Sequence, residues 1–218
     1  MSSLEILGGV SVKNLSLSTT YYCPNMIDVL LSHIQEKVSL SDGDKKAIET
    51  FFISKTLRKR QYLLQEDDVC KHLAFVAKGM LRSYNVDGKG TEHISMFGWE
   101  GWWLSDFNSF LSGVPAVFNI DAIEDSELMM ISLSDYNELT LKVPIMDRYF
   151  RILFQNSLVT KERRLMSAIT HTAEEKYVQL AESNPQIIER IPQNLIASYL
   201  GLAPETLSRI KKNLAFKK

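Results

Sequence analysis

Residues 191–213, Ile-Pro-Gln-Asn-Leu-Ile-Ala-Ser-Tyr-Leu-Gly-Leu-Ala-Pro-Glu-Thr-Leu-Ser-Arg-Ile-Lys-Lys-Asn, restrict the possible folds more than any other stretch of the chain. Ile196, Leu200, Leu202, Leu207 and Ile210 are spaced so that two short crossed helices share a small core. Ala197 is small where the second helix must approach the first. Gly201 falls at the turn, where a left-handed backbone is needed and a Cβ would cost about 1 kcal/mol. Pro204 suits the first turn of the second helix, where its missing N–H would have no intrahelical partner. The outward face then carries Glu205, Thr206, Ser208, Arg209 and Lys212, all able to reach base edges or phosphates. The pattern is that of a helix-turn-helix; the plain alternative is an ordinary pair of antiparallel helices.

Charge is distributed to match. The 218-residue chain has a net charge of −1, yet Arg190–Lys218 holds six basic residues against the single acid Glu205, a balance of +5. Residues 83–147 hold eleven acids against Lys89 and Lys142, a balance of −9. A basic end on an acidic body suits a nucleic-acid-binding module joined to a part that does not bind polyanions. Cys23 and Cys70 are too few and too far apart for a disulfide framework or a four-cysteine cluster. No apolar run reaches the ~18 residues of a membrane span, and the amino end lacks a signal-peptide layout. A cytoplasmic chain with no membrane partner is the expectation.

Four segments follow from the texture of the sequence. Residues 1–25 read as a loosely ordered extension, with Met26 as an alternative start. Residues 26–143 open with an amphipathic helix on Ile27, Leu30, Leu31 and Ile34, and a second helix capped near Ser41 and Asp42. They continue as short strand-like runs at 53–57, 62–64, 73–77, 80–86, 93–97, 117–123 and 128–131, with Asp87-Gly88 as a hairpin signal. Many short strands of this kind indicate a rolled or sandwiched β-domain. A short helix is expected from Ser134. Residues 144–170 form one long helix with two apolar stripes, one on Ile145, Tyr149, Ile152 and Val159, the other on Phe150, Phe154, Leu158, Leu165 and Ile169. A helix apolar on two sides needs two partners. Tyr149, Ile152, Asn156, Val159 and Arg163 are expected to face a second copy of the chain, with the polar pair fixing register. Residues 171–218 hold the helix-turn-helix after a break at Asn184-Pro185.

This order of roll, long helix and helix-turn-helix resembles the Crp/Fnr (catabolite activator/fumarate–nitrate regulator) family of bacterial transcription factors. The resemblance spans about residues 26–214. Gly79, Gly98, Gly101 and Gly113 are weak signals for it, whereas the stretch from Ile191 to Ile210, with Glu205, Thr206, Leu207, Ser208 and Arg209 in the DNA-reading core, is specific. The chain looks most like the short, wingless subgroup of Bacteroidetes-type bacteria, and it ends at Lys218, before the usual β-wing. The implied fold is α+β: a cyclic-nucleotide-binding-like β-roll (a jelly roll, or double-stranded β-helix), a dimerisation helix and a helix-turn-helix domain. The resemblance implies that Arg209 donates to guanine and Glu205 accepts from cytosine, the pairings that geometry also favours. Thr206 joins them among the base-contacting residues, and Gln193 and Ser208 contact phosphates. Lys211 and Lys212 add phosphate attraction without sequence preference. Pro204 stands where well-known members place a second guanine-reading arginine, so the half-site should differ there.

In members that bind cyclic AMP, an arginine beside a Ser or Thr holds the phosphate, after a Gly-Glu pair. Here Ser105-Asp106 falls at the Gly-Glu pair and Ala116-Val117 at the Arg-Ser pair, and no arginine lies between Ser83 and Asp147. A buried phosphate without a cationic partner is costly, so cyclic AMP in the usual mode is not expected. Trp102, Trp103, Ser105, Asp106, Ala116 and Val117 are the candidate lining of any sensory pocket, and the effector is open. The nearby aromatic residues, Phe97, Trp99, Phe107 and Phe110 among them, read either as a pocket for a planar ligand or, more plainly, as packing. No catalytic set, metal or cofactor is expected. The expected function is a homodimeric regulator binding double-stranded DNA, with RNA polymerase as a further partner. A cupin-like metal enzyme and a ligand-binding module that no longer reads DNA are the alternatives. Four histidines without a His-x-His weigh against the first, and the basic tail against the second.

Overall fold

The structure, a computed structural model, describes residues 25–216. The expected extension lies, apart from Asn25, outside these residues. Two helices come first, α1 (Met26–Gln35) and α2 (Asp42–Glu49). Ser41 caps α2 in a reciprocal capping box with Asp44, which satisfies two amides that the helix itself leaves open. Leu30, Leu31 and Ile34 form the buried face of α1.

Eight strands follow: β1 (Ile53–Leu57), β2 (Tyr62–Leu64), β3 (His72–Lys78), β4 (Leu81–Val86), β5 (Glu92–Gly98), β6 (Trp103–Leu104), β7 (Asn119–Ala122) and β8 (Ser126–Ser132). They build two antiparallel four-stranded sheets, ordered β1-β8-β3-β6 and β2-β7-β4-β5. The core between them includes Leu73, Phe75, Leu81, Leu104, Ile120 and Leu128. At Gly79, where φ is +93°, a Cβ would lie 2.6 Å from the Asp125 carbonyl oxygen, so only glycine fits. The β4–β5 hairpin forms as expected but with a longer loop. Gly90, not Gly88, takes the left-handed backbone, and the Asp87 carboxylate accepts from the Lys89 and Thr91 amides.

A short helix, α3 (Phe107–Ser112), sits between β6 and β7, and α4 (Leu133–Lys142) leads into the long α5 (Ile145–Thr170). The first turns of α5 are inside the core, with Met146, Tyr149 and Phe150 buried. From Phe154 onward one side of the helix is open, and Phe154, Leu158, Val159, Leu165, Met166 and Ile169 are exposed. Four helices follow among the described residues: α6 (Ala173–Ser183), α7 (Pro185–Arg190), α8 (Gln193–Leu200) and α9 (Pro204–Phe216). Among the described residues, no helix is long and apolar enough to cross a membrane.

Candidate nucleic-acid interface and sensory pocket

Helices α8 and α9 cross about a turn closed by the backbone. Gly201 is left-handed (φ 69°, ψ 34°), its amide donates to the Ser198 carbonyl at 3.0 Å, and the Leu202 amide donates to the Ala197 carbonyl at 2.9 Å. This double closure satisfies the last carbonyls of α8 and sets where α9 begins. Ile196, Ala197, Leu207 and Ile210 are buried between the two helices, as their spacing requires. Opposite them, Glu205, Ser208, Arg209 and Lys212 are exposed, and Thr206 and Lys211 are half-buried. The side chains of Glu205, Arg209, Lys211 and Lys212 form no hydrogen bond or ion pair with another described residue. Gln193 is exposed in the first turn of α8, where its side chain and the open helix amides face the same solvent.

The unit does not hang free of the roll. Ser198 Oγ accepts from the Ile94 amide (3.1 Å) and donates to the Glu92 carbonyl (2.7 Å), so α8 closes the open edge of β5. Tyr199 packs its ring on Phe97, with the Arg164 guanidinium 4.0 Å from its centroid. Arg190 joins Glu100 and Glu124 with bonds of 2.7–3.1 Å. Met80, Tyr84, Ile94, Phe97 and Ile123 of the roll share one apolar cluster with Ile191, Ile196, Leu207 and Ile210. Arg164, Arg190 and Ser198 carry this junction and had no signal in the sequence, because each meets a partner more than sixty residues away.

The long helix requires a correction. Tyr149, read as facing a second copy, is buried in its own chain: its hydroxyl accepts from Trp103 Nε1 (2.9 Å) and lies 2.8 Å from His33 Nδ1. Burial and the proximity of Lys37 lower the His33 pKa to about 4. The neutral ring and the Tyr149 hydroxyl, which burial keeps protonated, share one hydrogen bond. Ile152 is half-buried against the same core. Of that stripe, Asn156, Val159 and Arg163 are exposed, and the broad apolar exposure belongs to Phe154, Leu158, Leu165 and Ile169.

The expected sensory pocket is also redistributed. Trp103 packs on Phe52, Phe75 and Phe150, and Trp102 meets Trp99 with the rings tilted, 4.2 Å between centroids. Both tryptophans are packing residues, and Phe107 likewise meets Phe154. Asp106 is buried. Its carboxylate accepts from the Ser109 amide (3.0 Å), capping α3, and from the Val117 amide (2.9 Å). Ala116 is buried and its backbone is bonded to Asp67 and Asp68, while Val117 is exposed. Ser105 lines a cavity together with Leu104 and Cys70. Arg82, the arginine nearest the segment, is held by Asp121 and Glu92. Among the described residues, no three His, Cys, Asp or Glu side chains converge as a metal set.

Residues 54–142 match the family described as "Cyclic nucleotide-binding domain". The transcriptional regulatory protein btr of Bordetella pertussis is 23% identical over 193 residues, which cover 83% of this chain and 79% of btr. The fumarate and nitrate reduction regulatory protein of Salmonella typhi is 25% identical over 167 residues, covering 72% and 66%. Among solved structures, FixK2 of Bradyrhizobium japonicum superposes with a TM-score of 0.67 at 20% identity, over 76% of this chain and 85% of that one. The shared architecture is a roll followed by a long helix and carboxy-terminal helices.

Proposed function

We propose that this chain, a member of the Crp/Fnr family of transcription regulators, is a cytoplasmic, homodimeric regulator that reads a pseudo-palindromic DNA site with α9. One observation carries the reading. The turn at Gly201 fixes α9 so that Glu205, Thr206, Ser208, Arg209 and Lys212 point away from the core, and neither Glu205 nor Arg209 is used by a described neighbour. Arg209 supplies a bidentate donor for guanine and Glu205 an acceptor for cytosine N4. Thr206 completes the base contacts. Gln193, Ser208, Lys211 and Lys212 bind phosphates, which gives affinity without sequence preference. The roll (26–143) acts as sensor or scaffold, residues 144–170 as the dimer helix and 171–218 as the DNA-binding unit. Two-fold symmetry sets the two reading helices about 34 Å apart, one DNA turn. RNA polymerase is a further partner in this reading.

The experiment is a comparison of wild type and Arg209→Ala on DNA variants that differ at one base pair. Loss of about 1–3 kcal/mol confined to one G·C pair per half-site is expected. An equal loss on every sequence would make Arg209 a phosphate contact and remove the base-reading role.

A further inference from the structure

Between α5 and α8 the helical backbone is broken three times, at His171-Thr172, at Asn184 and at Ile191-Pro192. Each break is a joint about which a helical unit could swing. Contacts bridge every joint. Across the first, Lys176 Nζ donates to the Ala168 carbonyl (2.9 Å) and Ser167 Oγ donates to Gln179 Oε1 (3.1 Å). Beyond the second, Arg190 at the end of α7 bonds Glu100 and Glu124, which stand in two different loops of the roll. Glu100 is itself held, since its carboxylate accepts from the Gly79 amide at 2.8 Å. Beyond the third, Ser198 of α8 is bonded to both Glu92 and Ile94 of β5. Arg164 of α5 donates to the Ser95 carbonyl and lies against the Tyr199 ring, so it ties α5, the roll and α8 together.

These contacts differ in kind from the apolar cluster beneath them. Apolar burial is non-directional and lets one surface slide on another. Hydrogen bonds hold distance and angle, so the polar groups decide where α8, and with it α9, stands. The Ser198 hydroxyl gives its one proton to Glu92 and accepts from Ile94, and the Arg190 guanidinium is spent on two carboxylates. Both side chains therefore act through the roll and not on DNA. In a two-fold dimer the distance between the two copies of α9 depends on how each stands relative to α5. One base pair is about 3.4 Å of DNA axis, so moving each α9 by about 1.7 Å along it changes the preferred spacing by one base pair.

We propose that Arg190 and Ser198 are positioning residues that set the spacing between half-sites, while Glu205 and Arg209 read the bases within each. The inference rests on the reading of α9 as the DNA-contacting helix of a two-fold dimer. Specificity is then divided between two places in the molecule. The face of α9 chooses the half-site sequence, and the clasp between α7, α8 and the roll chooses how far apart two half-sites stand.

The test uses palindromes built from the half-site that the wild-type full chain selects, at the selected spacing and at one base pair more and one fewer. Wild type should bind the selected spacing at least about tenfold more tightly than either neighbour. Arg190→Gln with Ser198→Ala should reduce that ratio to about threefold or less. Affinity for a duplex carrying one half-site should stay within about twofold of wild type, which a merely structural loss would not allow. If the double variant loses half-site binding, Ser198→Ala alone decides, and it should lower the spacing ratio. Variants that keep the wild-type ratio would overturn the inference and leave base reading by α9 intact. Wild type that selects no two-fold site would instead overturn that reading, and the spacing role with it.

Discussion

His33 shows how one buried side chain makes folding sensitive to pH. Trp103 donates to the Tyr149 hydroxyl, which also shares a hydrogen bond with His33 Nδ1, and burial of this cluster favours the neutral imidazole. Folding lowers the His33 pKa from the ordinary 6.5 to about 4, so the folded state binds this proton less readily than the unfolded one. The contribution to stability is present above pH 6.5 and is lost as the pH falls from 6.5 to 4. The ring is partly open to solvent, which reduces the effect to about 1–2 kcal/mol. Urea denaturation at pH 7 and at pH 4 should show wild type losing that much more than His33→Gln. Equal losses would mean that the ring does not titrate differently on folding. Tyr149 belongs to the same scale: Tyr149→Phe should cost about 1–3 kcal/mol, because the Trp103 N–H loses its acceptor inside the core.

Among the elements, α5 carries the largest consequence. Its first turns are covered by the roll, and its later turns present Phe154, Leu158, Leu165 and Ile169 to solvent, with Leu158 at 59% and Leu165 at 63% exposure. A second copy of α5 is the occupant in our reading. Leu158→Asp with Leu165→Asp should yield a folded monomer by sedimentation equilibrium, whereas Tyr149→Phe should remain dimeric. A dimer that survives the double aspartate would place the contact elsewhere. The two stripes themselves were legible from helical periodicity. Which stripe meets which partner was not, since periodicity records apolarity and not the Trp103 and His33 contacts that claim Tyr149. The strands divide in the same way. Ile53–Leu57 and Tyr62–Leu64 are found where alternation places them, but Trp103–Leu104 is too short to show a period. Helix α3 was hidden in an aromatic run, and α7 behind Asn184-Pro185, where the proline that signals a break is also the first residue of the helix. The exposed face of α9 was legible because Gly201, Pro204 and the apolar spacing are all local, whereas the junction at Arg164, Arg190 and Ser198 joins segments with no shared spacing.

At the scale of the whole molecule, an acidic roll and a basic carboxy-terminal helical unit are joined through Arg190, Ser198 and a shared apolar cluster. In our account a change in the roll reaches α9 through this junction. In our account cyclic AMP is not the agent of that change. By the family resemblance Ala116 and Val117 stand where an arginine and a serine would hold the phosphate, and Arg82 is held by Asp121 and Glu92. Calorimetric titration with cyclic AMP should therefore give no heat of binding at ligand concentrations up to about 0.1 mM, well above the micromolar range. Micromolar binding would contradict this part of the account.

The most direct test of the central claim is selection from random duplex DNA by the purified full chain, at about 0.1 M salt and with no effector added. The account predicts enrichment of a two-fold-related site whose half-sites hold G·C pairs about one helical turn apart. Recovered DNA that shares no sequence with two-fold symmetry would contradict a dimer that reads bases through Glu205 and Arg209.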